Sequence, residues 1–141
     1  MNIIEVIARG LLIKEEYLLV CCPVGKNYYY LPGGHVEFFE STQEALQREW
    51  QEELNCYCEV GALLDCFEER FIDAGQQKHH EYTFLYRVDC AELQPKIEVK
   101  SNETHVQFEW MPIKHLHKHP LLPKSMQIFL IALNTPEATD R

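Results

Sequence analysis

The chain has 141 residues, of which 46% are hydrophobic and 11% aromatic, which is enough for one core and calls for no second domain. Thirteen basic residues against twenty-two acidic ones give a net charge of -9, and no basic block is present. This balance excludes non-specific binding to a nucleic acid polymer or to an anionic membrane, so a phosphate-bearing ligand would need a bridging cation or a local basic group.

The start of the sequence, IIEVIARGLLI, lacks the charged leader and small-residue cleavage site of a signal peptide, and no apolar run reaches the roughly 18 residues of a membrane span. We therefore expect a cytoplasmic protein. Six cysteines would suggest disulfides in a small secreted chain, but here they are expected to be reduced core thiols. Four of them lie in apolar, strand-like segments: Cys21, Cys22, Cys66 and Cys90.

The first predicted elements are strands. Residues 3–13 and 17–24 are rich in apolar and β-branched residues, and the polar KEE between them is typical of a hairpin turn. The segment YYYLPGG predicts a short strand that ends at Pro32 and the two glycines. A helix should follow, capped by Ser41 and running to Leu54, with Glu44 completing a capping box.

Residues 58–71 predict one strand or a bent strand pair, DAGQQK a loop, and YTFLYRV and VQFEWM two further strands. A polar stretch covers residues 91–104, and an amphipathic helix is expected at about residues 124–133. This order predicts an α+β fold, an α/β/α sandwich in which helices cover a mixed sheet. We expect one domain over residues 1–134 and a frayed, flexible tail over residues 135–141.

The central helix carries an unusual set of acids. On a helical wheel Glu49 and Glu53 fall between apolar positions on the inward arc, and Glu52 flanks them, whereas Arg48 falls on the outer side. Like charges three or four residues apart cost roughly 0.2–0.5 kcal/mol per pair. A solvated acidic face is the ordinary alternative, but inward carboxylates need a counter-charge, and clustered glutamates suit Mg²⁺ or Mn²⁺ better than zinc.

The stretch GHVEFFESTQEALQREWQEELNC, residues 34–56, resembles the Nudix box, the signature of MutT-like hydrolases that act on nucleoside diphosphates linked to another group. The charged and glycine positions of that box that match are Gly34, Glu40, Arg48, Glu49, Glu52 and Glu53. Asn55 replaces the glycine that ends the helix, but asparagine is the next-best residue for a left-handed cap. Trp50 and Cys56 stand at aliphatic positions, and Phe39 stands where many members have glycine.

The resemblance implies a Nudix fold, a mixed sheet flanked by the box helix and a C-terminal helix. It also implies a metal-dependent pyrophosphohydrolase in which water attacks phosphorus, with Mg²⁺ or Mn²⁺ as cofactor. Glu49 and Glu53 would be the main metal ligands, with Glu52 as a further ligand or a water-orienting base and the Gly33 carbonyl in support. Arg48 would hold the glutamates through a salt bridge that involves Glu37 or Glu40.

Members of this family often recruit a further catalytic acid from a downstream loop. Glu103 in KSNETH is the candidate here, with Glu98 and Glu81 behind it, although a solvated loop acid is an equal alternative. Tyr28 and Tyr30 share one strand face and are candidates for stacking on a substrate base, whereas packing in the core is the competing interpretation.

Two histidine groups invite a metal-site interpretation, but neither has zinc-binding spacing, so structural or surface roles are favoured. They are His79 with His80, and His115, His117 and His119. A rival function is a Nudix-fold module that senses a nucleotide without hydrolysing it, whereas a redox or zinc protein fails on motif spacing. The expected partner is a small-molecule nucleotide, and both its identity and a homodimer stay open.

Overall fold

The computed structural model describes residues 2–136, in which seven strands and two α-helices are formed. In chain order they are β1 Glu5–Leu11, β2 Ile13–Lys14, β3 Tyr17–Pro23, β4 Gly33–His35, α1 Thr42–Leu54, β5 Glu59–Ile72, β6 Lys78–Asp89, β7 Val106–Pro112 and α2 Lys124–Leu133, with a short 3₁₀ turn at Ile113–His115 before α2.

The strands form two sheets. One has the order β4-β1-β6-β5 and is mixed, because β1 runs parallel to β6 while the other pairs are antiparallel. The second has the order β2-β3-β7 and is antiparallel. The expected α+β fold with a mixed sheet and two helices is confirmed, and the single predicted sheet is resolved into two.

The two helices close two apolar cores. Trp50 and Leu46 of α1 are fully buried against Ala8 on one face of β1. The opposite face of β1, through Leu11, joins a second core that contains Met126 of α2. Alternate residues of β1 therefore point to different layers.

Local signals place α1 as the sequence predicts. The Ser41 hydroxyl accepts a hydrogen bond from the Glu44 amide at 3.0 Å, and the Glu44 carboxylate accepts one from the Ser41 amide at 2.8 Å. This is the predicted capping box. At the other end Asn55 adopts φ 53° and ψ 40°, so it provides the left-handed cap that glycine usually supplies. Phe39 also has a positive φ, 68°, which explains why a glycine suits that position.

The predicted strand in YYYLPGG is displaced toward its C-terminal end. Tyr29 and Tyr30 make only isolated bridges, while the strand forms at Gly33–His35, beyond Pro32. The glycines do not stop this strand but allow it. Gly33 has φ 149°, and a Cβ there would overlap the Ala8 carbonyl oxygen of the paired strand β1.

The cysteines are all free thiols, and Cys21, Cys56, Cys58 and Cys90 are buried. Of the four thiols predicted for the core, Cys22 is only half-buried, and the prediction is wrong for Cys66, which is exposed on the face of β5 opposite the buried Phe67. No helix among residues 2–136 is long and apolar enough to cross a membrane. Of the predicted tail, residues 137–141 lie outside the described residues.

Candidate metal centre and adjoining pocket

Glu49 lies against the backbone of β4. An added Cβ at Gly34 would come within 2.5 Å of the Glu49 carboxyl carbon, so the carboxylate occupies space that only glycine leaves free. The Glu49 side chain is 18% exposed. Burial raises the pKa of Glu49, while the hydrogen bond from Arg48 opposes that effect.

Glu53 lies one turn further along α1 and is the most isolated charge of the group. Its Oε1 atom is buried and has no hydrogen-bond partner among residues 2–136. Burial, reinforced by the negative charge of Glu49, raises the pKa of Glu53 to about 7. A buried oxygen without a partner is costly for the protein alone, and it is what a cation ligand requires.

Arg48 connects the loop before α1 to the carboxylates. Its guanidinium donates to both carboxylate oxygens of Glu40, at 2.7 and 3.0 Å, and to the His35 carbonyl oxygen at 2.9 Å. The prediction that Arg48 lies on the outer side is wrong, since its side chain is only 24% exposed. Its remaining acidic neighbours are Glu49 at 3.0 Å, Glu52 at 3.4 Å and Glu37 at 3.8 Å.

One guanidinium therefore contacts several carboxylates. Its shortest hydrogen bond is to Glu40, whose pKa it lowers. Glu52 is 52% exposed, and its contact with Arg48, at 3.4 Å, is longer than that of Glu49. It lies on the solvent side of the cluster, whereas Glu49 and Glu53 line the inner side. The buried Glu53 oxygen and the Glu49 carboxylate, which fills the space over Gly34, offer oxygen ligands that suit a small dication, and Gly33 precedes Gly34 in the chain.

The loop that carries Glu103 docks on the end of α1. The Asn102 amide donates to the Glu53 carbonyl oxygen at 2.8 Å, and the Ser101 hydroxyl accepts from the Glu103 amide at 3.0 Å. Glu103 is close enough for its charge to raise the pKa of Glu53. Its side chain is 39% exposed, and so it could turn toward a ligand. Of the other two candidate acids, Glu98 is exposed in the polar stretch, whereas Glu81 is half-buried on β6.

A pocket of about 480 Å³ lies on the Arg9 face of β1. Its aromatic and polar lining includes Tyr28, Tyr30, Phe71, Thr83 and Arg9, and its acids are Glu69 and Glu81. The Arg9 guanidinium lies 4.9 Å from the centre of the Tyr30 ring and donates to the Leu31 carbonyl oxygen at 3.2 Å. Its charge lowers the pKa of both Glu49 and Glu53. Arg9 thus lines the pocket and also acts electrostatically on the acidic cluster of α1.

Sequence reasoning missed Arg9, although the alternation in EVIARGL carries a signal. Ala8 and Gly10 face the α1 core, so the arginine between them must face the other layer. The histidines at positions 115, 117 and 119 are not part of a group of close metal-ligating side chains within residues 2–136. His79 does enter such a group, with Glu5 and Glu81, which spacing along the chain did not reveal.

Comparison with known proteins gives a consistent result. The family model described as the NUDIX domain matches residues 4–131. A MutT NUDIX hydrolase from Burkholderia pseudomallei has a TM-score of 0.74 at 21% identity, over 95% of this chain and 100% of that one. A MutT protein from Methanosarcina mazei has 0.66 at 20% identity, over 93% of each chain. An ADP-ribose pyrophosphatase from Streptococcus suis has 0.55 at 16% identity, over 94% of each.

Proposed function

Because this chain belongs to the Nudix family of hydrolases, we propose that it is a pyrophosphohydrolase that uses Mg²⁺ or Mn²⁺ to cleave the diphosphate linkage of a small nucleotide. The substrate would be a nucleoside diphosphate derivative or a nucleoside triphosphate, and residues 1–134 would form the working domain. The observation that carries this proposal is the buried, unpartnered Glu53 oxygen beside Glu49 and Gly34. Nudix hydrolases generally use divalent metal ions, which such a pair of carboxylates suits.

In this proposal Glu49 and Glu53 hold the cation, with support from Glu52 and the Gly33 carbonyl. A bound dication would neutralise phosphate charge and polarise the phosphorus–oxygen bond under attack. Arg48 keeps Glu49 in place through its 3.0 Å contact, while its stronger bonds to Glu40 anchor it to the preceding loop. The arginine thereby acts as a positioning residue rather than as a phosphate ligand.

Water must lose a proton as it attacks phosphorus, and the cluster offers two groups that can take it. Glu52 is exposed at the edge of the cluster, and Glu103 approaches from the docked loop. The proton passes to a carboxylate oxygen, and the cleaved phosphate oxygen leaves with the second phosphorylated fragment.

The pocket at Arg9 is the natural place for the rest of the substrate. Tyr28 and Tyr30 offer aromatic surface for a nucleobase, and Arg9, which lies against the Tyr30 ring and acts electrostatically on Glu49 and Glu53, would bind phosphate oxygens. The pocket's size suits a nucleotide, but its lining does not single out one base.

A cytoplasmic location would suit the six free thiols. Light scattering on the full chain would decide between a monomer and a homodimer.

The direct test is a hydrolysis screen with nucleoside triphosphates, nucleotide sugars, ADP-ribose and dinucleotides, each with Mg²⁺, with Mn²⁺ and with EDTA. We expect at least one substrate to be hydrolysed only when the dication is present. Tight nucleotide binding without turnover for every compound would instead favour the nucleotide-sensing module.

Glu103→Gln should lower turnover by roughly tenfold or more, since losing a general base costs about 10²–10⁴-fold and Glu52 would retain part of the function. Steady-state kinetics with the best substrate of the screen will measure this. Glu92→Gln is the matched control, because Glu92 is an exposed acid in the same polar stretch. A Glu103→Gln rate equal to that of the control would pass the role to Glu52, Glu81 or Glu98.

Arg9→Gln should raise KM by about 10–100-fold, because a charge-assisted hydrogen bond to a phosphate contributes about 1.5–3 kcal/mol. The value of kcat should change less, since Arg9 would bind the phosphate in the ground state as well. Arg87→Gln, at an exposed position on β6, is the control. A KM equal to that of the control would remove Arg9 from the substrate site.

A further inference from the structure

A second group of metal-ligating side chains lies on β1 and β6, outside the carboxylate cluster of α1. Glu5 opens β1 and is the register partner of Glu81 on β6, and His79 precedes Glu81 by two residues, so the three side chains share one face of the sheet. One ligand atom from each lies within 4.8 Å of the other two. Glu5 and His79 are 21% and 22% exposed, so the group is half-buried and still open to solvent.

The imidazole of His79 is held in one orientation. Its Nε2 lies 2.9 Å from the Asp73 carboxylate, and the ring of Phe71 stacks on it with centroids 4.7 Å apart. The other oxygen of Asp73 accepts from the Gly75 and Gln77 amides, both at 2.9 Å, which fixes the carboxylate in turn. When Nε2 donates to Asp73, the Nδ1 lone pair faces Glu5, 3.2 Å away.

This arrangement is the one that metal-binding histidines usually have, in which one ring nitrogen binds the ion and the other donates to a carboxylate. The two glutamates are also close enough to repel each other, and burial together with the Glu5 charge raises the pKa of Glu81. His35 Nε2 lies 2.7 Å from the second oxygen of Glu5.

We propose that Glu5, His79 and Glu81 form a binding site for a first-row transition-metal dication such as Zn²⁺. An imidazole with two carboxylates suits such ions, whereas Mg²⁺ prefers oxygen ligands alone. The site therefore differs in ion preference from the all-oxygen cluster of α1 and does not depend on the proposed hydrolysis. Glu81 also lines the pocket at Arg9, so an ion bound here would add positive charge at the rim of that pocket.

Calorimetric titration of the full chain with ZnCl₂, in excess Mg²⁺ to occupy the α1 cluster, tests the site. We expect one tight equivalent in the wild type and in His80→Ala, and at least 100-fold weaker binding in His79→Ala. His80 is the matched control because it lies next to His79 on β6 but pairs with Glu68, at 2.8 Å. Asp73→Asn should weaken binding by about 10–100-fold, the usual effect of changing a group that orients a ligand.

Glu81→Gln keeps the ion pairs of His79 and should still weaken Zn²⁺ binding at least tenfold, so it decides the matter if His79→Ala does not fold. Equal Zn²⁺ affinity in the wild type, His79→Ala and Glu81→Gln would overturn the proposal and leave the group as an ion-pair network.

Discussion

Glu53→Gln should lower turnover by about 10²–10⁴-fold, because a neutral amide coordinates Mg²⁺ poorly and the developing phosphate charge loses its compensation. The free energy of unfolding should not fall. Glu53 has a buried carboxylate oxygen without a partner among residues 2–136, so removing the charge relieves a cost. Glu59→Gln, at an exposed position on β5, is the control for the change of side chain alone.

The stability of the metal-free protein should also depend on pH through Glu53. The folded pKa of Glu53 is about 7 against an ordinary value of 4.5, so the folded state binds more protons between these pH values. Stability should therefore fall as pH rises from about 4.5 to 7, by roughly 2–3 kcal/mol, and stay low above that. In Glu53→Gln most of this fall should vanish. Urea unfolding in EDTA across pH 5–8 measures it, and a variant as active as wild type would remove Glu53 from the mechanism.

Gly34→Ala is the second change with a large expected effect. The added Cβ would lie 2.5 Å from the Glu49 carboxyl carbon, and because that atom ends a flexible side chain, the carboxylate should move while the fold survives. Displacement of a ligand by about 1 Å costs on the order of 10²-fold in rate. We expect a loss of that size in kcat, with Mg²⁺ affinity at least tenfold weaker.

Gly75→Ala is the matched control, because an added Cβ there meets only Asp73 Oδ1 at the ordinary distance of 3.4 Å. Unfolding free energies of both variants should stay within about 1 kcal/mol of the wild type. If Gly34→Ala kept full activity and unchanged Mg²⁺ affinity, Glu49 would not be the ligand that this geometry implies.

Signals close together in the chain predicted the helix well. Ser41, Glu44 and Asn55 act on backbone groups within four residues, so the bounds of α1 follow from short-range chemistry. The inward direction of Glu49 and Glu53 follows from helical periodicity in the same way. The predicted outer position of Arg48 was wrong because its long side chain folds back onto Glu40, eight residues earlier.

What the sequence did not reveal depends on contacts between distant segments. The strand at Gly33–His35 forms because β1 pairs with it, and no local pattern in YYYLPGG contains that partner. Likewise Glu5 and His79 lie 74 residues apart and meet only because β1 and β6 run parallel in register. Spacing rules for histidine ligands apply to one helix or loop and are silent on neighbours across a sheet.

The central claim is that Glu49, Glu53 and Gly34 surround a dication that takes part in hydrolysis. Anomalous diffraction from crystals grown with MnCl₂ and a non-hydrolysable nucleoside diphosphate analogue tests it most directly. We predict an anomalous peak roughly 2 Å from carboxylate oxygens of Glu49 and Glu53, in contact with a phosphate oxygen of the analogue. An analogue bound with no peak between these carboxylates would contradict the account.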